Sequence, residues 1–184
     1  ENGVTFTPTQ TGIREYVAFN EDATLPTPEF AGNIKNQNIH GEATPDMIII
    51  TPSQYAAQAN RLAALHQTND AMRVLVINHD LIFNEFSSGT PDAMAYRKLC
   101  KLFYDRGADT EGHKLKYLSL FGRGSFDNRQ LTTVIKSNPY PMLLTYQTVE
   151  SSNENTSYTT DDIFVMLEDN AASMLNNICS IAVG

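Results

Sequence analysis

Short apolar runs alternate with longer helical segments between residues 46 and 121, and this alternation restricts the fold more than any other feature. The runs at residues 47–50, 73–77 and 115–121 have the length of strands. Continuous apolar runs are typical of strands that are buried on both faces of a parallel sheet. The pattern therefore predicts a βαβαβ unit with right-handed crossovers, within an α/β three-layer sandwich whose sheet is mainly parallel.

Each helical segment opens with a helix-start signal. Thr51 is predicted as an N-cap, with Pro52 at the first helical position and Gln54 closing a capping box. The second helix is predicted to begin at residues 90–92 and to end at Gly107. The residues predicted to form the buried faces are Tyr55, Ala59, Leu62 and Leu65 in the first helix, and Tyr96, Leu99, Cys100 and Phe103 in the second.

The rest of the chain is less regular. Residues 1–45 are rich in Thr, Asn and Pro, with a strand-like run at residues 14–19, and are interpreted as the end of a preceding β domain plus a linker. Residues 46–184 then form the α/β domain. Strands are predicted at residues 141–146 and 178–184, and residues 161–167 fit either a strand or a helix.

The overall charge and the ends of the chain restrict its partners and context. A formal net charge of −8 argues against a nucleic-acid partner, because binding phosphates needs clustered Lys and Arg. No apolar run approaches the roughly 20 residues that a transmembrane helix needs. The chain begins at Glu1 without an initiator Met and stops inside a predicted strand, so we expect it to be a piece of a longer protein.

The cysteines and histidines give no catalytic or metal motif. Cys100 and Cys179 are both expected to be buried small side chains and neither is expected to act as a nucleophile. The four histidines lack the spacing of a zinc site, so no metal ligand is predicted. No cofactor is predicted, although Ca²⁺ stays open as a bound ion.

Four residues are candidates for contacts with a substrate or an ion. The loop that opens Gly122-Arg123-Gly124 has Asp127 where a dinucleotide fingerprint needs its third glycine, which argues against a nucleotide site. His79 follows the second strand, and Asp161 and Asp162 follow a polar loop. The alternatives are a structural turn for the glycine loop, a hydrogen-bonded loop histidine, and capping roles for the two adjacent aspartates, which on a strand would point to opposite faces.

Several segments together resemble the gingipain family of cysteine peptidases, in its branch of type IX secretion system sortases. The resemblance covers about residues 37–184 and is carried by segments that follow one another in the family's order, namely residues 37–40, 45–52, 84–92, 104–106, 117–129, 157–162 and 181–184. It implies a caspase-like catalytic unit of two α/β subdomains. In such a unit the nucleophilic Cys and the His, in a Gly-His-Gly context, belong to the second subdomain.

The resemblance implies that this chain is the N-terminal subdomain and is inactive alone, because it contains no Gly-His-Gly. Arg123 stands where many members carry an acidic residue in a Gly-Asp-Gly-Ser loop, which argues against a cation role for that loop. The parent protein would cleave C-terminal signal domains from exported cargo proteins and join the cargo to a surface lipopolysaccharide through a thioester. It would be secreted to the outer-membrane surface of a Gram-negative bacterium and would contact components of the secretion system.

Two other functions stay open at this point. The chain would alternatively be a stand-alone α/β module with a flavodoxin-like sheet that binds a ligand or an ion near Asp80, Gly122 and Asp161. The third hypothesis is a degenerate peptidase homologue with a structural or docking role.

Overall fold

The computed structural model describes residues 36–108, 113–150, 152–169 and 178–184, and also residues 5, 7, 12, 15–20, 22–30 and 32–34. The chain divides into two compact units, residues 1–35 and 36–184. In the first unit, residues 15–20 form no strand, so the strand predicted there is wrong, and Arg14 lies outside the described residues.

All named elements belong to the second unit. The strands are β1 (Met47–Thr51), β2 (Val74–Asn78), β3 (Tyr117–Leu120), β4 (Tyr146–Gln147), β5 (Thr159–Thr160) and β6 (Ala182–Val183). The helices are α1 (Ala56–Asn69), α2 (His79–Phe86), α3 (Met94–Ala108) and the short α4 (Thr133–Lys136). The described residues also contain three 3-10 helices, at Ile39–Gly41, Ser53–Tyr55 and Asp162–Val165.

The main sheet is parallel, with the strand order β2-β1-β3-β6. Met47 lies opposite Val74 of β2 and Tyr117 of β3, so β1 is paired on both sides. All five residues of β1 are buried, as its continuous apolar run predicts. A separate antiparallel pair joins β4 to β5.

Helices cover both faces of the sheet and make the three-layer α/β sandwich that the sequence predicts. On one face Met47 and Ile49 pack against Ala59 and Ala63 of α1. The opposite face carries the larger core, in which Ile48, Ile50, Ile77 and Leu118 of the sheet pack with residues of α2, α3 and the 3-10 helix Asp162–Val165. The alternation of odd and even β1 residues between the two cores follows from the two-residue period of a strand.

The buried face of α3 is confirmed, whereas that of α1 is only partly right. Tyr96, Leu99, Cys100 and Phe103 are all fully buried. On α1, Ala59 is buried, but Leu65 is 54% exposed. Small alanines rather than leucines form the centre of the α1 contact, which lets this helix lie close to the sheet.

Three details of the helix boundaries differ from the prediction. Thr51 ends β1 instead of capping a helix, and its Oγ1 donates to the Phe121 carbonyl at 2.9 Å. The 3-10 turn Ser53–Tyr55 has no side-chain cap, so the predicted capping box is wrong. Asp92 does support the start of α3, since its Oδ1 accepts from the Met94 N–H at 2.8 Å. That helix continues past Gly107 to Ala108.

The region after β3 is less regular than predicted. The strand expected at residues 141–146 is reduced to β4 and a single parallel bridge between Leu143 and Gly124. The ambiguous segment 161–167 forms the 3-10 helix Asp162–Val165, and the last predicted strand is reduced to β6. The helix α2, by contrast, was not predicted at all.

Residues 37–41 are fastened to α2 by the carboxylate of Glu85. It accepts from the Ile39 N–H at 2.7 Å, from Gln37 Nε2 at 2.8 Å and from the His40 N–H at 3.2 Å, and lies 2.6 Å from His40 Nδ1. Burial alone would raise the pKa of Glu85, but these hydrogen bonds hold it at about 2. The ionised Glu85 carboxylate therefore anchors residues 37–41 to α2, and we call this set of contacts the Glu85 clamp.

Just before β1 and β2, Asp46 and Arg73 form a bidentate ion pair. The Arg73 Nε and Nη2 atoms lie 2.8 and 3.0 Å from the two carboxylate oxygens of Asp46. The hydrogen bond from Arg73 keeps the pKa of Asp46 well below its ordinary value. None of the helices in the described part of the chain has the length and apolar character that crossing a bilayer requires.

Candidate substrate cleft

The strand order places a switch point between β1 and β3. From β1 the chain crosses by α1 to β2 on one side, and from β2 it crosses by α2 and α3 back over β1 to β3 on the other. Open α/β sheets bind ligands at the carboxyl ends of strands at such a point. Here that position is occupied by Pro52 after β1 and by the loop Gly122-Arg123-Gly124 after β3.

The chain's own residues fill the space beside this glycine loop. A Cβ at Gly122 would lie 3.2 Å from Leu143 Cδ1 and 3.4 Å from Pro52 Cδ. A Cβ at Gly124 would collide with the methyl group of Thr145. The Leu143 N–H also donates to the Arg123 carbonyl at 2.8 Å. The glycines therefore allow residues 143–145 to pack against the loop, and no phosphate-binding cradle is formed.

An open cleft of about 490 Å³ lies next to this packed loop. Its lining residues are Gly124, Ser125, Phe126, Ile135, Thr145, Thr159, Thr160 and Asp161. Phe126 is 68% exposed, so it presents an apolar surface beside the threonine hydroxyls. Asp161 supplies the carboxylate of this lining. We call this space the Asp161 cleft.

Asp161 and Asp162 serve different clefts. Asp162 lines a second space of about 390 Å³ together with Tyr146, Tyr158 and Met166. Partial burial, together with the neighbouring charge of Asp162, raises the pKa of Asp161. The two residues therefore line different spaces, although the segment forms a 3-10 helix and not the strand for which opposite faces were expected.

Asp127 is committed to its own loop. Its oxygens accept from the Leu131 N–H at 3.0 Å, the Thr132 N–H at 2.7 Å and Thr132 Oγ1 at 2.9 Å. The Thr132 N–H, with the other donors, lowers the pKa of Asp127. The Asp127 carboxylate thus stabilises a turn in which Gln130 adopts a φ of 53°. Its hydrogen bonds go to residues 131 and 132 of its own loop.

His79 lies apart from the cleft, at the first position of α2. Its Nδ1 is 3.4 Å from Tyr96 Oη, and that hydroxyl accepts from the Leu144 N–H at 3.4 Å. Burial lowers the pKa of His79, and the charge of Asp80 opposes this effect. The four predicted site residues are therefore not brought together, and the described residues contain no group of three or more His, Cys, Asp or Glu side chains that would hold a metal ion.

Neither cysteine has the surroundings of a catalytic nucleophile. Cys100 is fully buried in α3, and burial raises its pKa to about 12. Cys179 is exposed, so its predicted burial is wrong, because β6 begins only at Ala182 and leaves Cys179 in the preceding loop. Its pKa is also raised, by partial burial and by Asp162. Within the described residues no hydrogen bond joins either thiol to a histidine, whereas an activated thiol needs a lowered pKa.

The sequence did not single out Phe126 or Thr145 as cleft residues. Phe126 follows the glycine loop. The one local sign of its exposure is that it is an apolar residue in a polar segment. Thr145 carries no local signal, because it reaches the cleft through the pairing of residues 143–145 with the loop after β3.

Comparisons with known proteins identify relatives of this chain. The profile of peptidase family C25 matches residues 40–184. Among solved structures, the crystal structure of dimeric latent PorU from Porphyromonas gingivalis is similar, with a TM-score of 0.70 and 41% sequence identity over 84% of this chain. The chain spans only 15% of the length of that PorU chain. A comparison with curated proteins finds no match. The chain therefore belongs to peptidase family C25, the gingipain family of cysteine peptidases.

Proposed function

We propose that this chain is the non-catalytic N-terminal portion of the peptidase region of a type IX secretion sortase. The parent protein would remove C-terminal signal domains from exported proteins at the cell surface of a Gram-negative bacterium. The nucleophilic Cys and the His would come from a second subdomain of the same protein. The exported cargo and components of the secretion system would be its further partners.

One observation carries this proposal: the chain is 41% identical to PorU over 84% of its own length, while it spans 15% of PorU. The chemistry of the two thiols supports it, since one is buried and both have raised pKa values. The sequence contains no Gly-His-Gly. A role as one side of a substrate cleft fits these properties better than a role as a complete peptidase.

The test of the missing nucleophile uses both the 184-residue chain and the full-length parent. An epoxide or halomethyl-ketone label directed at cysteine peptidases should not modify the chain, and the chain should not cleave a signal-domain substrate. Slow alkylation of the exposed Cys179 by a small reagent is not counted, because it needs no active site. In the full-length parent, Cys100→Ala and Cys179→Ser should each retain cleavage; loss of cleavage by a folded Cys179→Ser protein would refute the proposal.

We further propose that the Asp161 cleft forms part of the substrate-binding surface. A partly buried carboxylate beside threonine hydroxyls and Phe126 suits a peptide that offers a hydrogen-bond donor or a basic group next to apolar atoms. Asp162 faces the neighbouring space, so it provides a matched control one residue away.

In the full-length parent, Asp161→Asn should lower kcat/KM for a signal-domain substrate roughly tenfold, which is the scale expected when a hydrogen bond to a charged group is lost. Asp162→Asn should change it much less. Equal effects of the two substitutions, measured on proteins with unchanged thermal unfolding, would contradict the assignment of Asp161.

A further inference from the structure

A chain of hydrogen bonds links His79 to Leu144, the chain neighbour of Thr145 in the lining of the Asp161 cleft. The Leu144 N–H donates to Tyr96 Oη at 3.4 Å, and Tyr96 Oη lies 3.4 Å from His79 Nδ1. Tyr96 is fully buried, and the His79 side chain is 16% exposed. The link therefore connects α2, α3 and residues 143–145 through the protein interior.

The amide of Leu144 is the one that ties residues 143–145 to the helical layer. The Leu143 N–H donates to the Arg123 carbonyl at 2.8 Å, and the Thr145 N–H donates to Asn128 Oδ1 at 3.0 Å. Both of these acceptors belong to the loop after β3. The Leu144 N–H instead points to Tyr96 of α3, so this hydrogen bond joins the segment to the helical layer, together with the burial of the Leu143 side chain in the core.

The directions of the hydrogen bonds determine the state of the histidine. With Tyr96 Oη accepting from the Leu144 N–H, His79 Nδ1 is the acceptor within reach for the hydroxyl proton. His79 must then be neutral and carry its proton on Nε2, which lies 3.6 Å from Asp80 Oδ1. The arrangement fits the neutral Nε2–H tautomer, whereas a charged ring would place a second donor against the Tyr96 hydroxyl.

Protonation at Nδ1 would remove the acceptor of the Tyr96 hydroxyl. The buried hydroxyl would then face donors from both His79 and Leu144, and its own proton would be left without a partner in this arrangement. Leaving a buried donor unpaired is costly, so the link would have to rearrange. The two rings packed on Tyr96 are those of Phe83 and Phe164, which offer no alternative acceptor of comparable strength.

Few ionisable groups surround His79. Asp80 of its own helix and Tyr96 of α3 are the ones that contact it among the described residues, and residues 143–145 contribute only backbone and uncharged side chains. Phe83 packs against the imidazole with 5.4 Å between ring centroids. Asp80 is 66% exposed, so water weakens its attraction for a positive charge on the ring.

We propose that His79 is a proton-sensitive latch: in its neutral form it holds Tyr96 and Leu144 in place, and its protonation breaks this link and loosens residues 143–145, of which Thr145 lines the Asp161 cleft. In the latched state the pKa of His79 is below the ordinary value of 6.5. The released state therefore binds the proton more readily, and the latch loses stability as the pH falls below about 6.5. This proposal does not depend on peptide binding in the cleft, because its test measures hydrogen exchange of the Leu144 amide directly.

Amide hydrogen exchange of the 184-residue chain tests the latch. After correction for the intrinsic pH dependence of exchange, the protection of the Leu144 amide should fall by up to about tenfold per pH unit between the ordinary pKa of His79 and its lowered value, as expected for the binding of one proton. Ile49 in the central strand serves as the internal reference and should keep its protection over the same range.

Three substitutions separate the latch from general acid destabilisation. His79→Asn offers an oxygen that cannot titrate in this pH range, so the protection of Leu144 should no longer depend on pH. Tyr96→Phe should leave Leu144 poorly protected at every pH. His66→Asn, which alters a histidine paired with Asp70 on α1, should retain the wild-type fall. Persistence of the fall in His79→Asn would overturn the latch.

A measurement on the unmodified chain covers the case in which a variant does not fold. Imidazole nitrogen chemical shifts at neutral pH should identify His79 as the Nε2–H tautomer. An Nδ1–H tautomer, or a wild-type Leu144 amide whose corrected protection is independent of pH, would rule the latch out.

Discussion

At the scale of single residues, carboxylates of similar appearance in the sequence perform different tasks. The Asp127 carboxylate accepts hydrogen bonds from backbone N–H groups of its own turn, whereas Asp161 lines an open cleft. Glu85, which was not predicted as a site residue, accepts hydrogen bonds from Gln37, Ile39 and His40. The sequence identified which residues can carry charge, but the number of donors around each one depends on backbone segments that are distant along the chain.

The clamp at Glu85 leads to a prediction about pH. Its pKa is about 2 in the folded protein, below the reference value of 4.5, so the folded state favours the ionised form. The clamp should therefore contribute its full stability above about pH 4.5 and lose it as the pH falls toward 2. Glu85→Gln should lower the urea midpoint at neutral pH and make the loss between these two pH values less steep.

Glu42 provides the matched control for this prediction, because it is an exposed glutamate that follows the same clamped segment. Urea unfolding of Glu42→Gln should follow the wild-type pH dependence. A Glu85→Gln protein whose acid dependence matches the wild type would show that the clamp does not couple to folding.

At the scale of elements, local signals identified the long elements better than the short ones. The helix α2 has a start signal that could be read, since Asn78 Oδ1 accepts from the Asp80 N–H at 3.1 Å. Its eight residues, directly after a strand, gave too short a repeat for a helical period to stand out. The two-residue strands β4 and β6 are defined by pairing with β5 and β3, so the local sequence does not indicate their exact bounds.

Gly107 of α3 gives the prediction at this scale. Replacing a helical glycine by alanine ordinarily stabilises a helix by about 1 kcal/mol. Here a Cβ would lie 2.5 Å from the His113 carbonyl oxygen, which belongs to the backbone and does not move aside easily. Gly107→Ala should therefore lower the thermal unfolding temperature instead of raising it.

An alanine at the exposed α1 position Gln58 serves as the comparison, since it changes helix propensity without a close backbone neighbour. Its unfolding temperature should stay near that of the wild type. A more stable Gly107→Ala protein would mean that residues 113–114 shift at little cost.

At the scale of the whole molecule, folding depends on the unit formed by residues 36–184. Among the described residues, those that form the two cores lie between Ile39 and Val183, and the Glu85 clamp holds the first of them. Deleting residues 1–35 should therefore leave the thermal unfolding temperature of this unit unchanged within about 2 °C. Calorimetry of the truncated and complete chains checks this, and a large fall would mean that residues 1–35 contribute to the stability of the sandwich.

The apolar runs and the periodic stripe of α3 were enough to predict a parallel α/β sandwich, because a strand buried on both faces leaves a continuous apolar run and a helix buried on one face leaves a periodic stripe. The family resemblance likewise depended on the order of short segments along the chain. The cleft and the latch could not be predicted in this way. Leu143 and Thr145 meet the glycine loop, and Tyr96 meets His79 and Leu144, only after the crossovers bring separate segments together. Contacts of that kind are decided by tertiary packing, which has no period along the chain.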